Sequence, residues 1–364
     1  MPRRFICRHD HEWEASLAPG DDLGANLACP VCGVRDFTCL QEESLDDKPP
    51  TGFAPSLPGP SQPLPRVPGH DIIEELGQGG MGVVYKAFDR HRKQMVALKT
   101  LQGMTPAALY RFKKEFHTLA EVTHPNLVTL FEPISDGTHW FFTMELVEGI
   151  DFLRHVRGGV LALAHTVLDT LPDDAPPVHA AAPQVSRPSP GPSAEQTARL
   201  REALRQLAEG VAALHEAGKL HRDIKPGNVL VTPQGRVVLL DFGLATDLGP
   251  MGHHESSQQH LAGTVPYMSP EQIACQPLTA ASDWYSVGVM LYQALTGRLP
   301  FEGDLYEVLH AKRERDPVPP GSLAADLPED LQTLCMQLLQ RRAADRPAGQ
   351  EILCRLANIG ERGG

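Results

Sequence analysis

The sequence contains no apolar run long enough to cross a membrane. Its longest apolar stretch, residues 160 to 171, is much shorter than the roughly 20 residues that a membrane helix needs, and it carries His165. The N-terminus is basic, but no apolar signal core follows it. We therefore expect a soluble, cytoplasmic protein with no membrane segment in this chain.

Long basic runs are also missing, and acidic residues outnumber basic ones. The 364 residues include 33 Lys and Arg against 45 Asp and Glu, which gives a formal net charge of −12. Binding to nucleic acid depends largely on basic side chains that neutralise phosphates. The charge therefore argues against nucleic acid and against anionic membranes as partners.

Cysteine is scarce outside the first 39 residues. Four of the seven cysteines lie there, and the other three are Cys275, Cys335 and Cys354. Those three fall within apolar helical patterns, which indicates buried free thiols in a reducing compartment rather than disulfides.

Proline, in contrast, is plentiful and clustered, with 33 residues in the chain. Residues 41–69 are crowded with Pro, Gly, Ser and acidic residues and predict an extended linker, because such a segment cannot bury enough apolar surface to fold. Residues 1–40 are then a small separate module. A second stretch rich in Ala, Pro and Gly, residues 157–193, predicts a flexible insertion in the large domain, residues 70–358.

Within the large domain, strand patterns dominate before residue 150 and helical patterns dominate after it. One helix among about five strands indicates a small, mostly antiparallel lobe. The predicted strands include 83–87, 95–99, 127–132 and 140–146, and the predicted helix covers 106–120. The later predicted helices cover about 195–217, 282–296, 305–313, 331–339 and 350–358.

A glycine-rich loop stands near the start of this domain. Gly77, Gly79 and Gly82 have the spacing G-x-G-x-x-G, which dinucleotide-binding folds share. Those folds need a helix directly after the glycines, whereas a strand containing Val84 follows here. A glycine loop between two strands favours a flap that closes over nucleotide phosphates, because glycine lets backbone amides approach closely.

Lys99 lies on the next predicted strand. A lone lysine on a strand is usually a solvated surface residue, but Lys99 has apolar neighbours, and its spacing from the glycines is that of a phosphate-contacting lysine. Glu115 on the following helix is its predicted partner, with Glu121 as the alternative. Because that helix also carries basic residues, an ordinary surface ion pair is a second interpretation of Glu115.

The stretch from His221 to Asn228 carries the most chemical information. Asp223 precedes Asn228 by five residues, and Asp241 follows after an apolar strand. Phosphoryl transfer needs cations on the phosphates, a group that accepts the proton of the attacking hydroxyl, and positive charge. Asp241 and Asn228 offer the oxygen ligands that Mg²⁺ prefers, while Asp223 offers the acceptor and Lys225 the charge. Ordinary turn residues are the alternative, but they do not predict the upstream glycines and lysine in this order.

In order and spacing, residues 70–358 resemble a Hanks-type (eukaryotic-type) protein kinase domain of the bacterial kind. The resemblance implies an α+β, bilobal fold with a small β-rich lobe and a larger helical lobe. It also implies ATP and Mg²⁺ as ligands. The matching residues are Gly77, Gly79, Gly82, Lys99, Glu115, His124, Pro125, Asn126, His221, Arg222, Asp223, Asn228, Asp241, Phe242, Gly243, Gly263, Thr264, Ser269, Pro270, Glu271, Asp283 and Arg346.

The resemblance further implies individual roles. Lys99 would bind the α- and β-phosphates and pair with Glu115, Asp223 would be the catalytic base, and Asn228 and Asp241 would hold Mg²⁺. The residues implied at the adenine are Glu145 and Val147 of the hinge, the gatekeeper Met144, and Val84 and Ala97, which pack on the base.

Two further features follow from the resemblance near the end of the activation segment. Glu271 and Arg346 would form a buried ion pair that anchors this segment. Ser269 departs from the family pattern, in which alanine is usual. Because both residues are small, we expect activity to be retained.

Lys225 and Thr264 resemble their counterparts in serine/threonine kinases rather than tyrosine kinases. We therefore expect protein substrates with Ser or Thr acceptors and a role in signalling. In the family, an arginine placed like Arg222 often receives an activation-loop phosphate. This predicts phosphorylation of Ser256 or Ser257 in trans, through a transient homodimer, with ordinary loop serines as the alternative.

The N-terminal module carries metal-ligand spacing. Cys7, His11, Cys29 and Cys32 predict a closed, tetrahedral Zn²⁺ site, with His9 as the alternative to His11. The pattern resembles zinc-ribbon modules that precede bacterial, notably planctomycete-like, kinases. A redox pair at Cys29 and Cys32 and a disordered tail are the other interpretations. A module of about 40 residues with few apolar side chains would need a metal to fold.

An active kinase and a pseudokinase scaffold are the two function classes that this sequence favours. A pseudokinase usually lacks one of the four residues Lys99, Asp223, Asn228 and Asp241. All four are present, which favours the active enzyme.

Overall fold

The computed structural model describes three strands near the N-terminus and most of the chain from residue 65 onward. The chain divides into two compact units, Met1–Pro63 and Leu64–Gly364. The described residues are 2–7, 12–16, 37–40, 65–79, 82–101, 112–113, 116–136, 139–158, 189–241 and 264–358.

The first unit contains a three-stranded antiparallel sheet. Its strands are β1 (Pro2–Cys7), β2 (Glu12–Ser16) and β3 (Phe37–Leu40), in the order β2-β1-β3. Among the predicted zinc ligands, Cys7 is the last residue of β1. His11, Cys29, Cys32 and the alternative His9 lie outside the described residues, so the zinc site stays a prediction.

The second unit begins with a five-stranded sheet in which all neighbouring strands are antiparallel, in the order β4-β5-β6-β8-β7. This is the predicted small antiparallel lobe. Its strands are β4 (His70–Gly79), β5 (Gly82–Asp89), β6 (Gln94–Leu101), β7 (Leu130–Ser135) and β8 (Trp140–Glu145).

The sheet buries different side chains on its two faces, because successive residues of a strand point in opposite directions. On β6, Val96 and Leu98 pack with Phe141 in one cluster, whereas Ala97 joins Phe142 in the main core. Helical residues 112–113 and 116–120 pack against this second face. The Phe112 and Phe116 rings lie 5.9 and 5.7 Å from the ring of Phe142.

The rest of the second unit is mostly helical, as predicted. The helices are α1 (Phe152–Arg157), α2 (Ala194–Glu216), α3 (Pro270–Ile273), α4 (Ala280–Thr296), α5 (Leu305–Glu314), α6 (Glu329–Leu338) and α7 (Gly349–Asn358). A small antiparallel sheet contains β9 (Ile150–Asp151), β10 (Val229–Val231) and β11 (Val237–Leu239).

Helix α4 forms the centre of the helical lobe, with most of its side chains buried. Helix α2 shows why the sequence pattern predicts helices well. On α2, Leu200, Leu204, Leu207, Val211 and Leu214 are buried at helical spacing. Burial of such a stripe removes apolar surface from water, which stabilises a helix more than its intrinsic propensity does.

Strand β7 corrects one predicted boundary. The sequence pattern predicts a strand at 127–132, but β7 covers Leu130–Ser135. Residues before it pair elsewhere: Val128 N donates to Leu239 O at 3.0 Å, and Leu239 N donates to Asn126 O at 2.9 Å. Backbone pairing with β11 therefore takes the first apolar residues of this run away from the five-stranded sheet.

The three cysteines of the second unit correct a second prediction. Cys335 is buried as expected, but Cys275 and Cys354 are exposed, and none of the three forms a disulfide. Cys275 has a positive φ of 51° just after α3, so it ends that helix instead of facing its core. Cys354 lies on the exposed face of α7.

The linker and the insertion are described only at their ends. Val67 is buried against the five-stranded sheet, although the linker was predicted to run to residue 69. At the end of the insertion, Ser189 N donates to Leu323 O at 2.8 Å, and Ala325 N donates to Ser189 O at 3.0 Å. Ser193 then caps α2. Residues 159–188 lie outside the described part of the chain.

Among the described helices, none has the length and apolarity needed to span a bilayer.

Candidate active site

The loop between α2 and β10 is held to the helical lobe by one buried carboxylate. Asp283 accepts hydrogen bonds from the backbone amides of His221 and Arg222 at 2.8 and 2.7 Å, and from His215 Nε2 at 2.8 Å. His221 Nε2 also bonds Leu240 O at 2.7 Å. The backbone immediately before Asp223 is therefore fixed, and Arg222 adopts the uncommon φ of 68°.

Asp223, Lys225, Asn228 and Thr264 come together at the end of this loop. Lys225 Nζ lies 2.9 Å from Asp223 Oδ2 and donates to Thr264 Oγ1 at 2.9 Å. Asn228 Nδ2 donates to the backbone oxygen and to Oδ2 of Asp223, at 2.8 and 3.0 Å. Oδ1 of Asp223 is buried and has no hydrogen-bond partner among the described residues. One carboxylate oxygen is thus held in place, while the other keeps its capacity to accept a hydrogen bond.

Lys99 and Asp241 meet across the two lobes. Lys99 Nζ donates to Asp241 Oδ2 at 2.7 Å, and the lysine is buried at 8% exposure. Glu115, the predicted partner, lies outside the described residues. Glu121, the alternative partner, is exposed at the end of its helix. In this arrangement the lysine is paired with the carboxylate predicted to bind the metal.

Asp241 and Asn228 fit a divalent cation. Asp241 Oδ1 is buried without a hydrogen-bond partner among the described residues, and an unpartnered buried carboxylate oxygen is costly. Asn228 is oriented by the donation of its Nδ2, so its side-chain oxygen remains for a ligand. Carboxylate and amide oxygens are the donors that Mg²⁺ takes. Among the described residues, no group of three or more His, Cys, Asp or Glu side chains is arranged to hold a metal.

The glycine loop joins β4 to β5, with Gly79 opposite Gly82. Gly82 has φ +136°, and a Cβ at this position would overlap the carbonyl oxygen of Thr100. Thr100 Oγ1 accepts from Val83 N at 2.8 Å, which ties the loop's exit to β6. A Cβ on Gly77, in contrast, would meet no atom within 4 Å. Close packing therefore explains the third glycine of the motif, but not the first.

The predicted adenine residues lie where the two lobes join. Val84 of β5 pairs with Lys99 of β6, two residues along the strand from Ala97, and Ala97 pairs with Met144 of β8. Glu145 N donates to Thr129 O at 2.8 Å, so Glu145 has only its carbonyl to offer a base. Val147 follows, packed against the main core.

Arg236 is a residue of this region that sequence reasoning missed. Its Nη1 and Nη2 donate to the Glu145 carboxylate at 2.5 and 3.1 Å, and its Nε donates to Pro125 O at 2.7 Å. Burial alone would raise the pKa of Glu145, but the Arg236 guanidinium, together with hydrogen bonds from Thr129, outweighs it and lowers this pKa. The pair ties the hinge to the β10–β11 turn, and nothing in the local sequence around Arg236 signals that contact.

Glu271 and Arg346 form the ion pair expected beyond Thr264. The two guanidinium nitrogens of Arg346 lie 2.6 and 2.9 Å from the Glu271 oxygens. Its remaining donors reach the backbone oxygens of Gln340, Ala281 and Arg341. Ser282 Oγ adds a bond to Glu271 at 2.8 Å. The pair is therefore fully hydrogen-bonded within the protein.

Ser269 and Gln272 explain the departure from alanine. Ser269 is the N-cap of α3 and forms a capping box with Gln272. Gln272 Nε2 also donates to Arg222 O at 2.7 Å. This second missed residue thus links the helix to the loop that carries Asp223. The predicted activation-loop residues Ser256 and Ser257 lie outside the described part of the chain, as do Phe242, Gly243 and Gly263.

Comparisons with known proteins agree with this arrangement. The serine/threonine-protein kinase PksC of Streptomyces coelicolor is 33% identical over 295 residues, which are 78% of this chain and 47% of PksC. Myxococcus xanthus serine/threonine-protein kinase pkn2 is 34% identical over 286 residues, which are 76% of this chain and 30% of pkn2. Mycolicibacterium smegmatis PknB is 30% identical over 288 residues, which are 76% of this chain and 40% of PknB.

The chain spans about half, or less, of the length of these curated relatives. The family model for the protein kinase domain matches residues 70–356, which include both lobes and every site residue of the second unit. The chain belongs to the protein kinase family.

Proposed function

We propose that this chain is an active serine/threonine protein kinase that transfers the γ-phosphate of ATP to proteins, including itself. The observation that carries the proposal is the position of Lys225, whose amine contacts both Asp223 and Thr264. This contact supports the proposal because the predicted proton acceptor and the start of the segment after the activation loop lie beside the same positive charge. The three relatives, all named serine/threonine-protein kinases, support the acceptor type.

Several residues would bind the nucleotide. The Glu145 carbonyl and the Val147 amide would meet the adenine edge, while Val84 and Ala97 pack on its face. The glycine loop would cover the phosphates. Lys99 would bind the α- and β-phosphates and, in the predicted active arrangement, pair with Glu115. Its amine already lies beside Asp241, so the phosphates would enter next to a positive charge.

The transfer itself uses few protein groups. Mg²⁺, held by Asp241 and Asn228, would neutralise charge on the phosphates. Asp223 accepts the proton of the Ser or Thr hydroxyl through Oδ1, which has no hydrogen-bond partner among the described residues. The hydroxyl oxygen forms a bond to the γ-phosphorus as the bond from that phosphorus to the β–γ bridging oxygen breaks. ADP leaves with that electron pair, and Lys225 stabilises the negative charge of the transferring group.

The experiment uses the full chain with Mg²⁺ and ATP, beside Asp223→Asn, with phosphosite mapping and casein as a second acceptor. We expect phosphate on serine or threonine with the parent chain and almost none with the variant. Nucleotide binding without any transfer by the parent chain would instead support the scaffold function. A double Ser256→Ala, Ser257→Ala variant with unchanged activity would reject phosphorylation of these residues as the activating step.

The remaining proposals concern the domain boundaries, the zinc site and the location of the protein. Residues 1–40 are a zinc-ribbon-like module with Cys7, His11, Cys29 and Cys32 as ligands, 41–69 a linker, and 70–358 the kinase domain, with an insertion at 157–193. The buried free thiol of Cys335 supports a reducing, cytoplasmic compartment. Elemental analysis of the full chain should find about one zinc per chain. The Cys29→Ser variant should lose that zinc. Zinc-free parent protein would reject the site.

A further inference from the structure

Lys312 is a buried lysine that belongs to none of the motifs described so far. Lys312 of α5 has 1% of its surface exposed. Burying an ammonium group is costly unless each of its donors is satisfied. Lys312 Nζ donates to three backbone oxygens: to Val265 O at 3.0 Å, to Pro266 O at 2.6 Å and to Met268 O at 2.7 Å. An ammonium group has three N–H donors, so these carbonyls match it completely.

The fourth carbonyl of the same segment is also held by a side chain. Ser286 Oγ of α4 donates to Tyr267 O at 2.8 Å. All four consecutive carbonyls of residues 265–268, which we call the clamped segment, therefore accept hydrogen bonds from side chains of the helical lobe. The segment is a single 3₁₀ turn with one backbone bond, from Met268 N to Val265 O at 3.2 Å. Its shape thus depends on these side chains.

The aromatic ring of Tyr285 adds to the site of the lysine. Its centroid lies 5.3 Å from Lys312 Nζ, within the range of a cation–π attraction. The hydroxyl of Tyr267, within the clamped segment, donates to Gln293 Oε1 at 2.7 Å in a buried position. The anchoring groups on α4 and α5 therefore hold both the backbone and a side chain of this segment.

The clamped segment follows directly after Thr264. Thr264 Oγ1 accepts from Lys225 Nζ, and the same amine contacts Asp223. A shift of the clamped segment would therefore move Thr264 relative to the proton acceptor. The contact between Lys99 and Asp241, on the nucleotide side, involves none of these residues. We therefore expect a shift of the clamped segment to affect the position of the polypeptide that carries the hydroxyl, and not the binding of ATP.

We propose that Lys312 is a positioning residue for the protein acceptor: by holding the carbonyls of residues 265–268, it places the segment against which the acceptor chain lies when its hydroxyl reaches Asp223. This inference rests on the proposed kinase function and names a determinant of its acceptor side. Lys312 acts through the clamped segment and does not touch the reacting atoms.

The test compares Lys312→Met with Arg313→Met in the full chain, using casein as the acceptor. Methionine keeps much of the length of lysine but removes all three donors. Arg313 is the adjacent residue on the same helix, and it is exposed. For Lys312→Met we expect kcat/KM for casein to fall on the order of 10²-fold, the cost of about 1 Å of misplacement. ATP affinity and acceptor-free ATP hydrolysis should stay at the parent level, and Arg313→Met should match the parent.

A purely structural role would give a different pattern. If Lys312→Met lowers ATP affinity and acceptor-free hydrolysis in parallel with casein phosphorylation, or changes none of the three, the positioning role is rejected. If this variant does not fold, Ser286→Ala decides, because it removes one donor with a small change in volume. A loss of about tenfold in kcat/KM for casein at parent ATP affinity supports the proposal, and no loss rejects it. A parent chain that phosphorylates neither itself nor casein would overturn the kinase function itself, and this inference with it.

Discussion

The ion pair between Glu271 and Arg346 gives the sharpest stability prediction. In Glu271→Ala, the Arg346 guanidinium, whose side chain is 0% exposed, would lose both carboxylate oxygens and keep only backbone acceptors. Breaking a buried pair by removing one partner costs about 3–5 kcal/mol. Because domains have a total stability of about 5–15 kcal/mol, this is a large fraction. For a domain of this size we expect Tm to fall by roughly 10 °C.

The assay is thermal and urea unfolding of the full chain, followed by circular dichroism. Asp330→Ala is the matched control, because Asp330 also forms a bidentate pair, with Arg201 at 2.6 and 3.0 Å, but on the surface. Such an exposed pair contributes about 1 kcal/mol or less. Equal losses in the two variants would refute the reasoning that burial makes the first pair indispensable. Replacing both Glu271 and Arg346 by Met should recover part of the loss, because no buried charge is then left alone.

The same pair predicts the direction of the pH dependence. Burial would raise the pKa of Glu271, but Arg346 and Ser282 outweigh it, so the pKa lies below the usual 4.5. A carboxyl with a lowered folded-state pKa stabilises the protein above its unfolded pKa, and this stability is lost as pH falls through the folded value. Below pH 4.5, Glu271→Ala should therefore lose less stability on acidification than the parent chain. Parallel acid-unfolding curves would contradict this assignment.

Three further variants test other contacts. Arg236→Met should raise the Kd for ATP, because it frees Glu145 at the hinge, and should leave KM for casein unchanged. Isothermal titration measures the Kd, and an unchanged Kd would exclude a hinge role. Gly82→Ala should weaken ATP binding and lower Tm, because its Cβ would overlap the Thr100 carbonyl; parent-like values would contradict the close packing. Ser269→Ala should cost about 1 kcal/mol of stability through loss of the N-cap, measured by urea unfolding, with activity retained.

Much of the fold follows from local pattern. The five-residue apolar stripe on α2 appears in the sequence with the helical period, since one buried face is enough to specify that helix. Strand β6 is recognised instead by its short apolar run, because residues 96–99 are buried on both faces of the sheet. The predicted helix at 282–296 matches α4 to within two residues at its start. Strand β7 is the exception, because the apolar residues just before it, which the sequence pattern assigns to the same strand, pair with β11. That choice between two partners depends on the assembled lobes.

The candidate site is likewise predictable from the sequence only in part. The order from Gly77 to Arg346 and the residue types at each motif predict phosphoryl transfer without any coordinates. The contact between Glu145 and Arg236 joins residues 91 positions apart, and neither sequence neighbourhood indicates it. Lys312 stands among Arg313 and Arg315, a pattern typical of a solvated helix face, yet its amine is buried beneath the clamped segment.

The sequence by itself determined the family, the two-part arrangement of strands and helices, and the candidate chemical groups for the proposed reaction. Those depend on residue type and spacing, which the chain states directly. Only the tertiary structure decided which donors meet which acceptors: Lys99 with Asp241, Arg236 with Glu145, and Lys312 with three carbonyls. The physical reason is that a buried polar group must find a partner wherever packing places one, and packing brings together residues that sequence distance does not relate.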